Sequence, residues 1–320
     1  MFIKKLLRSS NAALLFITIA VTLLFYIFNN NYLNFDNVRN ILNSMSFVGV
    51  LSVGMTLLLI GGEVDLAAGA EACFSGVVVA LLINAGVPWG LAFFLTVLFG
   101  ALCGLINAFF INKLGFMSFI ATLGMMSVYQ GLVTVITQSK NIQIPEQGFW
   151  VIGSISLWNV VPLAFIIMLV LMIAYSVVLS NTNFGRSVYM CGGNRHAARL
   201  CGINPKKIST ILYVNNGVLA AIAGVVLTSR MHTASPAAGS SGAIDAITAA
   251  VLGGVSFLGG AGGMSGCFIG ILLLNVFNAG LTAVGFPSYW QIVARGGLLV
   301  LALCLDFIGA RSRRLALERE

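Results

Sequence analysis

Apolar runs about as long as a bilayer is thick recur from one end of the chain to the other, and no other feature restricts its folding so far. Windows near 12–28, 41–60, 65–84, 88–110, 116–138, 160–180, 208–229, 244–260, 264–284 and 288–308 each hold roughly 20 residues with few charges. In hydrocarbon every backbone N–H and C=O needs an internal partner, which leaves helices or a closed barrel. The runs are continuous and lack period-two alternation, so they select helices. The expectation is an all-α polytopic membrane bundle of about ten spans, one domain over residues 1–320. Runs 65–84 and 244–260 fit least well, because they are rich in Gly and Ala and carry acids.

Charged residues are only 8% of the chain, yet the net charge is +8. On a soluble protein that balance would suggest nucleic acid. Here the positive charge lies in loops and tails, where it reports topology. Placing Lys4, Lys5 and Arg8 inside brings Arg311, Arg313, Arg314 and Arg319 of the 309–320 tail to the same side, together with Lys113 and the 181–207 loop. Arg39, Lys140 and Arg230 then face out, and both termini are expected in the cytoplasm of a bacterial inner membrane. The basic N-terminus and the 12–28 run resemble a signal peptide, but NNNYLNFDN follows rather than a small-residue cleavage site. The run is therefore read as a retained span. The longest outer loop, 139–159, is too short for a soluble domain. Six cysteines without CxxC spacing read as small packing residues, and neither a metal nor a cofactor is expected.

Polar residues inside the runs are the candidate solute path. Asp65, Glu71, Asp245, Arg295 and Asp306 lie within or at the ends of spans, where charge is costly and demands a reason. Asp65 and Asp245 open helices, so a carboxylate there also satisfies free amides. Glu71 sits deeper, and Arg295 is its candidate partner. Asp306, near the inner interface, can snorkel or pair with the basic tail. Asn107, Asn275, Asn278 and Gln291 offer neutral donors and acceptors, suited either to a polyhydroxylated solute or to bonding between helices. VDLAAG at 64–69 is echoed by IDAITA at 244–249, and LINAFF around Asn107 by LLNVFNAG around Asn275 and Asn278. The offset of five spans is the trace expected of an inverted repeat, and chance likeness among apolar segments is the alternative.

Five of the 17 Lys and Arg crowd between Arg186 and Lys207. Within that stretch Asn194 can cap a short helix from Arg195, with Ala197, Leu200 and Cys201 on one face and Arg199 beside Arg195 on another. Gly202 stops the helix and Pro205 prevents its resumption. An ordinary positive-inside loop, or a helix resting on anionic lipid, would have the same composition.

HAARLCG, from His196 to Gly202, has the spacing of the coupling loop of ABC import permeases, in which EAA is followed three residues later by Gly. His196 stands where the Glu usually stands. FGRSVYMCGGNRHAARLCGI, the stretch 244–281, VGMTLLLIGGEVDLAAGA and FIATLGMM resemble, in order, segments of ribose-type monosaccharide permeases. Glu63 replaces a usual Gly there, Ala67 a usual Ser, and Met117 and Ser118 a frequent Pro. The resemblance implies a membrane subunit of a binding-protein-dependent importer for a monosaccharide or related solute. It implies a separate ATPase whose groove receives the 194–203 helix, a solute-binding protein, and a second permease copy. Gly193, Asn194, Arg195, His196, Ala197, Ala198, Arg199, Gly202 and Ile203 would form the coupling element. The chain has no Gly-Lys dipeptide and hence no P-loop of its own. The competing readings are an ion-driven secondary transporter, a membrane enzyme, and an ABC permease for branched-chain amino acids or nucleosides. No nucleic-acid partner is expected.

Overall fold

The computed structural model describes residues 10–157 and 160–317. Lys4, Lys5, Arg8, Arg319 and the loop end at Asn159 lie outside the described residues. The described chain is helical almost throughout. Its helices are α1 (Ser10–Phe28), α2 (Phe35–Ile60), α3 (Ala68–Asn84), α4 (Trp89–Asn112), α5 (Ser118–Thr137), α6 (Gln147–Ser154), α7 (Leu163–Asn181), α8 (Asn183–Gly193), α9 (Arg195–Leu200), α10 (Pro205–Met231), α11 (Gly242–Leu252), α12 (Met264–Ala283) and α13 (Ser288–Leu317). Two strand pairs, β1 (Ile142–Gln143) with β4 (Thr233–Ala234) and β2 (Ser156–Leu157) with β3 (Val161–Pro162), are both antiparallel.

Seven helices, α1, α2, α4, α5, α7, α10 and α12, are long and apolar enough to cross a membrane, and α3, α11 and Ser288–Cys304 of α13 are shorter apolar helices. Three boundaries differ from the sequence expectation. The 244–260 run is helical only to Leu252. Gly253 and Gly254 follow, the latter at φ 82°, a conformation that ends a helix at no steric cost to Gly. Helix α3 starts at Ala68 rather than 65, because Asp65 Oδ1 accepts from Ala67 N at 2.9 Å and holds the chain in a side-chain turn. Helix α13 runs through Leu317, past the expected tail boundary, over residues that favour helix.

Helices α2 and α10 form the centre. Helix α10 packs on α2, α3 and α4. Its crossing with α4 is backbone to backbone: a Cβ on Gly100 or on Gly217 would strike the other's carbonyl. Helix α1 lies outside against α12. Phe94, Leu98, Leu102, Leu105 and Phe109 leave an exposed apolar stripe along α4 that suits lipid or another chain.

Helices α8 and α9 form an elbow at one face of the bundle. At the opposite face the 138–157 segment caps the end of α10. There the Trp150 ring stacks on His232 at 4.3 Å, Ser154 Oγ lies 3.0 Å from His232 Nε2, and Gly153 N donates to Ser229 Oγ at 2.9 Å.

Candidate functional site

The elbow has the local geometry its residues dictate. Asn194 Oδ1 accepts from His196 N at 2.9 Å and Ala197 N at 3.0 Å, satisfying two of the free amides that open α9. Gly202 closes the helix at φ 80°, with Ile203 N donating to Ala198 O at 3.0 Å. Asn204 in turn caps α10 through Lys207 N. Within α9 only Ala198 is buried, whereas Leu200 is 79% exposed and Ala197 and Cys201 are exposed beside it. A six-residue helix thus presents an apolar face to the outside of the chain, with Arg199 next to it.

Beneath the elbow three connectors meet with almost no side chains between them. Gly260 N donates to Ile60 O at 2.8 Å, and an added Cβ on Gly192 would collide with that same carbonyl. A Cβ on Gly259 would lie 2.8 Å from Gly192 O, and one on Gly260 2.8 Å from the Cα of Gly193. Tyr189 donates its hydroxyl to Gly262 O at 2.7 Å, and burial raises its pKa, so it remains a donor at physiological pH. Asp306 accepts from Phe257 N at 3.0 Å, so it serves this loop's backbone. Arg195 is half exposed but tied to the bundle. Its guanidinium turns back to Glu63 at 2.5 Å.

The expected solute-path residues separate into two groups. Asp65, Glu71 and Asn107 are fully buried. Asn107 Nδ2 donates to Glu71 Oε1 at 2.8 Å, the Tyr129 hydroxyl lies 3.3 Å from Asn107 Oδ1, and Asn216 Nδ2 donates to Asp65 Oδ2 at 2.9 Å. These bonds join α3, α4, α5 and α10 through neutral groups. Glu71 Oε2 has no partner among the described residues. Arg295, the partner expected for Glu71, is elsewhere.

Asp245, Asn275, Asn278 and Gln291 line a cavity of about 530 Å³ toward the capped face, within the roughly 300–1,000 Å³ range of small-molecule sites. Arg295 is here, with Nη1 3.4 Å from Asp245 Oδ2 and Nε 3.3 Å from Asn278 Oδ1. Its ion pair with Asp245 balances one charge of each sign, and Arg230 adds a further cation to the same wall. Sequence reasoning missed Asn37, Asn40, Ser44, Thr282 and Arg230 in the same wall. The signal was present: Asn37, Asn40 and Ser44 recur at i, i+3, i+7 on α2, as Asn275, Asn278 and Thr282 do on α12. Phe47 supplies an aromatic surface. The wall therefore offers amides, hydroxyls, one ring face and a cation beyond the paired acid, which suits a polar, hydroxyl-bearing solute better than a cation. Among the described residues no group of three or more His, Cys, Asp or Glu is placed to hold a metal.

The sequence profile described as "branched-chain amino acid transport system / permease component" matches residues 37–303. The ribose import permease protein RbsC of Bacillus subtilis is 37% identical over 88% of this chain and 87% of its own length. RbsC of Escherichia coli K12 is 34% identical over 93% and 92%. The autoinducer 2 import system permease protein LsrC of Photorhabdus luminescens is 31% identical over 88% and 84%. No solved structure matches significantly.

Proposed function

The chain belongs to the family of transport-system permease components, and from that premise we propose that it is the membrane subunit of an ABC importer for a monosaccharide or a related small polyol-like solute. The observation that carries the solute class is the amide- and hydroxyl-lined cavity, with its one acid already paired, in a chain that aligns over most of its length with ribose permeases. Solute released by a binding protein at the capped face would enter between α2, α11, α12 and α13. The path would then open toward the elbow face by alternating access. ATP binding and hydrolysis in a separate subunit drive that change, with α9 seated in the ATPase and Leu200 in its groove. The elbow face is the cytoplasmic one, so both termini lie inside and the 138–157 cap lies outside the bacterial inner membrane. A second permease copy completes the transporter, and lipid covers the remaining apolar surface.

Two substitutions test the docking of α9. Leu200→Asp alters an exposed side chain, so the permease should fold and insert normally while the ATPase no longer co-purifies. A Cβ on Gly202 meets nothing within 4 Å, so Gly202→Leu costs the chain only its backbone strain, about 1 kcal/mol. Its uptake of radiolabelled ribose should nevertheless fall steeply. Normal co-purification and uptake in both variants would remove α9 from the coupling role.

A further inference from the structure

The two carboxylates of the α2–α3 connection have different partners. Asp65 is held by neutral amides, whereas Glu63 holds a cation that belongs to the elbow. Glu63 is 3% exposed. Its Oε1 accepts from Arg195 Nη2 at 2.5 Å and Ser209 Oγ at 3.1 Å, and its Oε2 lies 3.4 Å from the Tyr213 hydroxyl. That hydroxyl also donates to Val64 O at 3.0 Å. Arg195 is the first residue of α9, and only Ala198 of that helix is buried, so the guanidinium is its main polar tie to the bundle.

The residues just after Glu63 hold other helices. Asp65 Oδ2 accepts from Asn216 on α10, and Leu66 N donates to Thr122 Oγ1 on α5 at 3.1 Å. A displacement of α9 that pulls Glu63 therefore moves a non-helical segment fastened to both α10 and α5. Folding alone does not explain an acid here. The acid is buried while its cation is 51% exposed, and such a pair adds little net stability over apolar packing, although losing the cation strands the acid.

We propose that Glu63 is a positioning residue, and that its pair with Arg195 is the pin through which movement of α9 reaches the α2–α3 segment and so the solute path. The proposal rests on the reading of α9 as the ATPase contact.

The test needs no knowledge of the solute. In a permease–ATPase complex with Cys201 and Cys304 replaced by Ser, Ser44→Cys reports the cavity through its rate of maleimide labelling, with and without ATP and vanadate. The unmodified pair should give an ATP-dependent change of about fivefold or more. Glu63→Gln, Arg195→Gln and the double variant should each lose it to about the same extent, because either removal breaks the one contact. In Glu63→Gln, which leaves α9 itself unaltered, ATP hydrolysis should stay within about twofold and the complex should remain whole. Glu63→Gly removes the acid by a second route should Glu63→Gln fold poorly. A full ATP-dependent change in Glu63→Gln or Glu63→Gly, in an intact complex, overturns the pin alone. Losses that add in the double variant also overturn it. An intact complex in Leu200→Asp overturns the docking of α9 and the pin with it.

Discussion

The buried cluster around Asp65, Glu71 and Asn107 and the cavity around Asp245, Asn275 and Asn278 use the same residue types and end in different physical states. Each has an acid at or near the start of a short helix, α3 or α11, and amides on the helix that follows it. In the first cluster Asn216, Asn107 and Tyr129 close over the acids and no cation enters. In the second, Arg295 takes Asp245 at 3.4 Å and Asn278 at 3.3 Å, and Asn275 and Gln291 donate to the backbone carbonyls of Ile271 and Phe286, yet all of them border open space. Polar residues in a membrane bundle thus do two kinds of work. Sealed between helices they fasten the bundle, and around a cavity they are held by local bonds at the border of a space that a solute can enter.

The largest expected effect separates the two regions by folding. Asp65→Leu leaves the fully buried Asn216 amide without its acceptor, at a cost of about 1–3 kcal/mol, and releases the turn before α3. The yield of monodisperse protein by size-exclusion chromatography should collapse. Glu71→Leu should lower yield several-fold by stranding Asn107. Glu71→Gln should be tolerated, because a carboxamide oxygen still accepts that bond. Equal yields for Leu and Gln at 71 would erase the distinction between sealed and open regions.

Next in size is Asp245→Asn. It removes the cavity's negative charge while keeping its shape, and should leave yield unchanged but cut uptake about tenfold by freeing the Arg295 charge inside the site. A loss of yield instead would make the pair a fastener like the first cluster. Asn278→Ala should be milder, about fivefold in uptake, since one neutral hydrogen bond to a solute is worth roughly 1 kcal/mol. The smallest effect is a labelling difference. Asn40→Cys should react with an impermeant maleimide added outside intact spheroplasts, and Asn107→Cys should not. Labelling of both would mean that water reaches the first cluster too.

Much of this was readable before any coordinates. The spans follow from apolar length, and α9 from a capping Asn194 and a terminating Gly202, both local rules. Asp245, Asn275, Asn278 and Gln291 stood out because amides and acids in an apolar run are few. Pairing was the hidden part. Arg295 lies nearer in sequence to Asp245 than to Glu71, but sequence distance does not decide contact in a bundle. Nothing local distinguishes Arg195 turned toward Glu63 from Arg195 facing water. The short α11 was hidden for another reason: Gly253 and Gly254 are as apolar by composition as a span, yet they end the helix. Asn37, Asn40 and Ser44 became visible only as a period along α2, at the edge of a run chosen for hydropathy alone.

Helix α10 begins at the elbow, where Asn204 caps it, and ends under the Trp150–His232 stack. Its 27 residues span about 40 Å, and its one proline is at the first position, where it causes no kink. With an ATPase at one end and a solute-binding protein at the other, as proposed, both partners bear on one uninterrupted rod. Linkage then works in both directions. If the ATPase's nucleotide state changes the binding protein's affinity for the cap by some factor, docking of the binding protein must change the preference of the ATPase between those nucleotide states by the same factor.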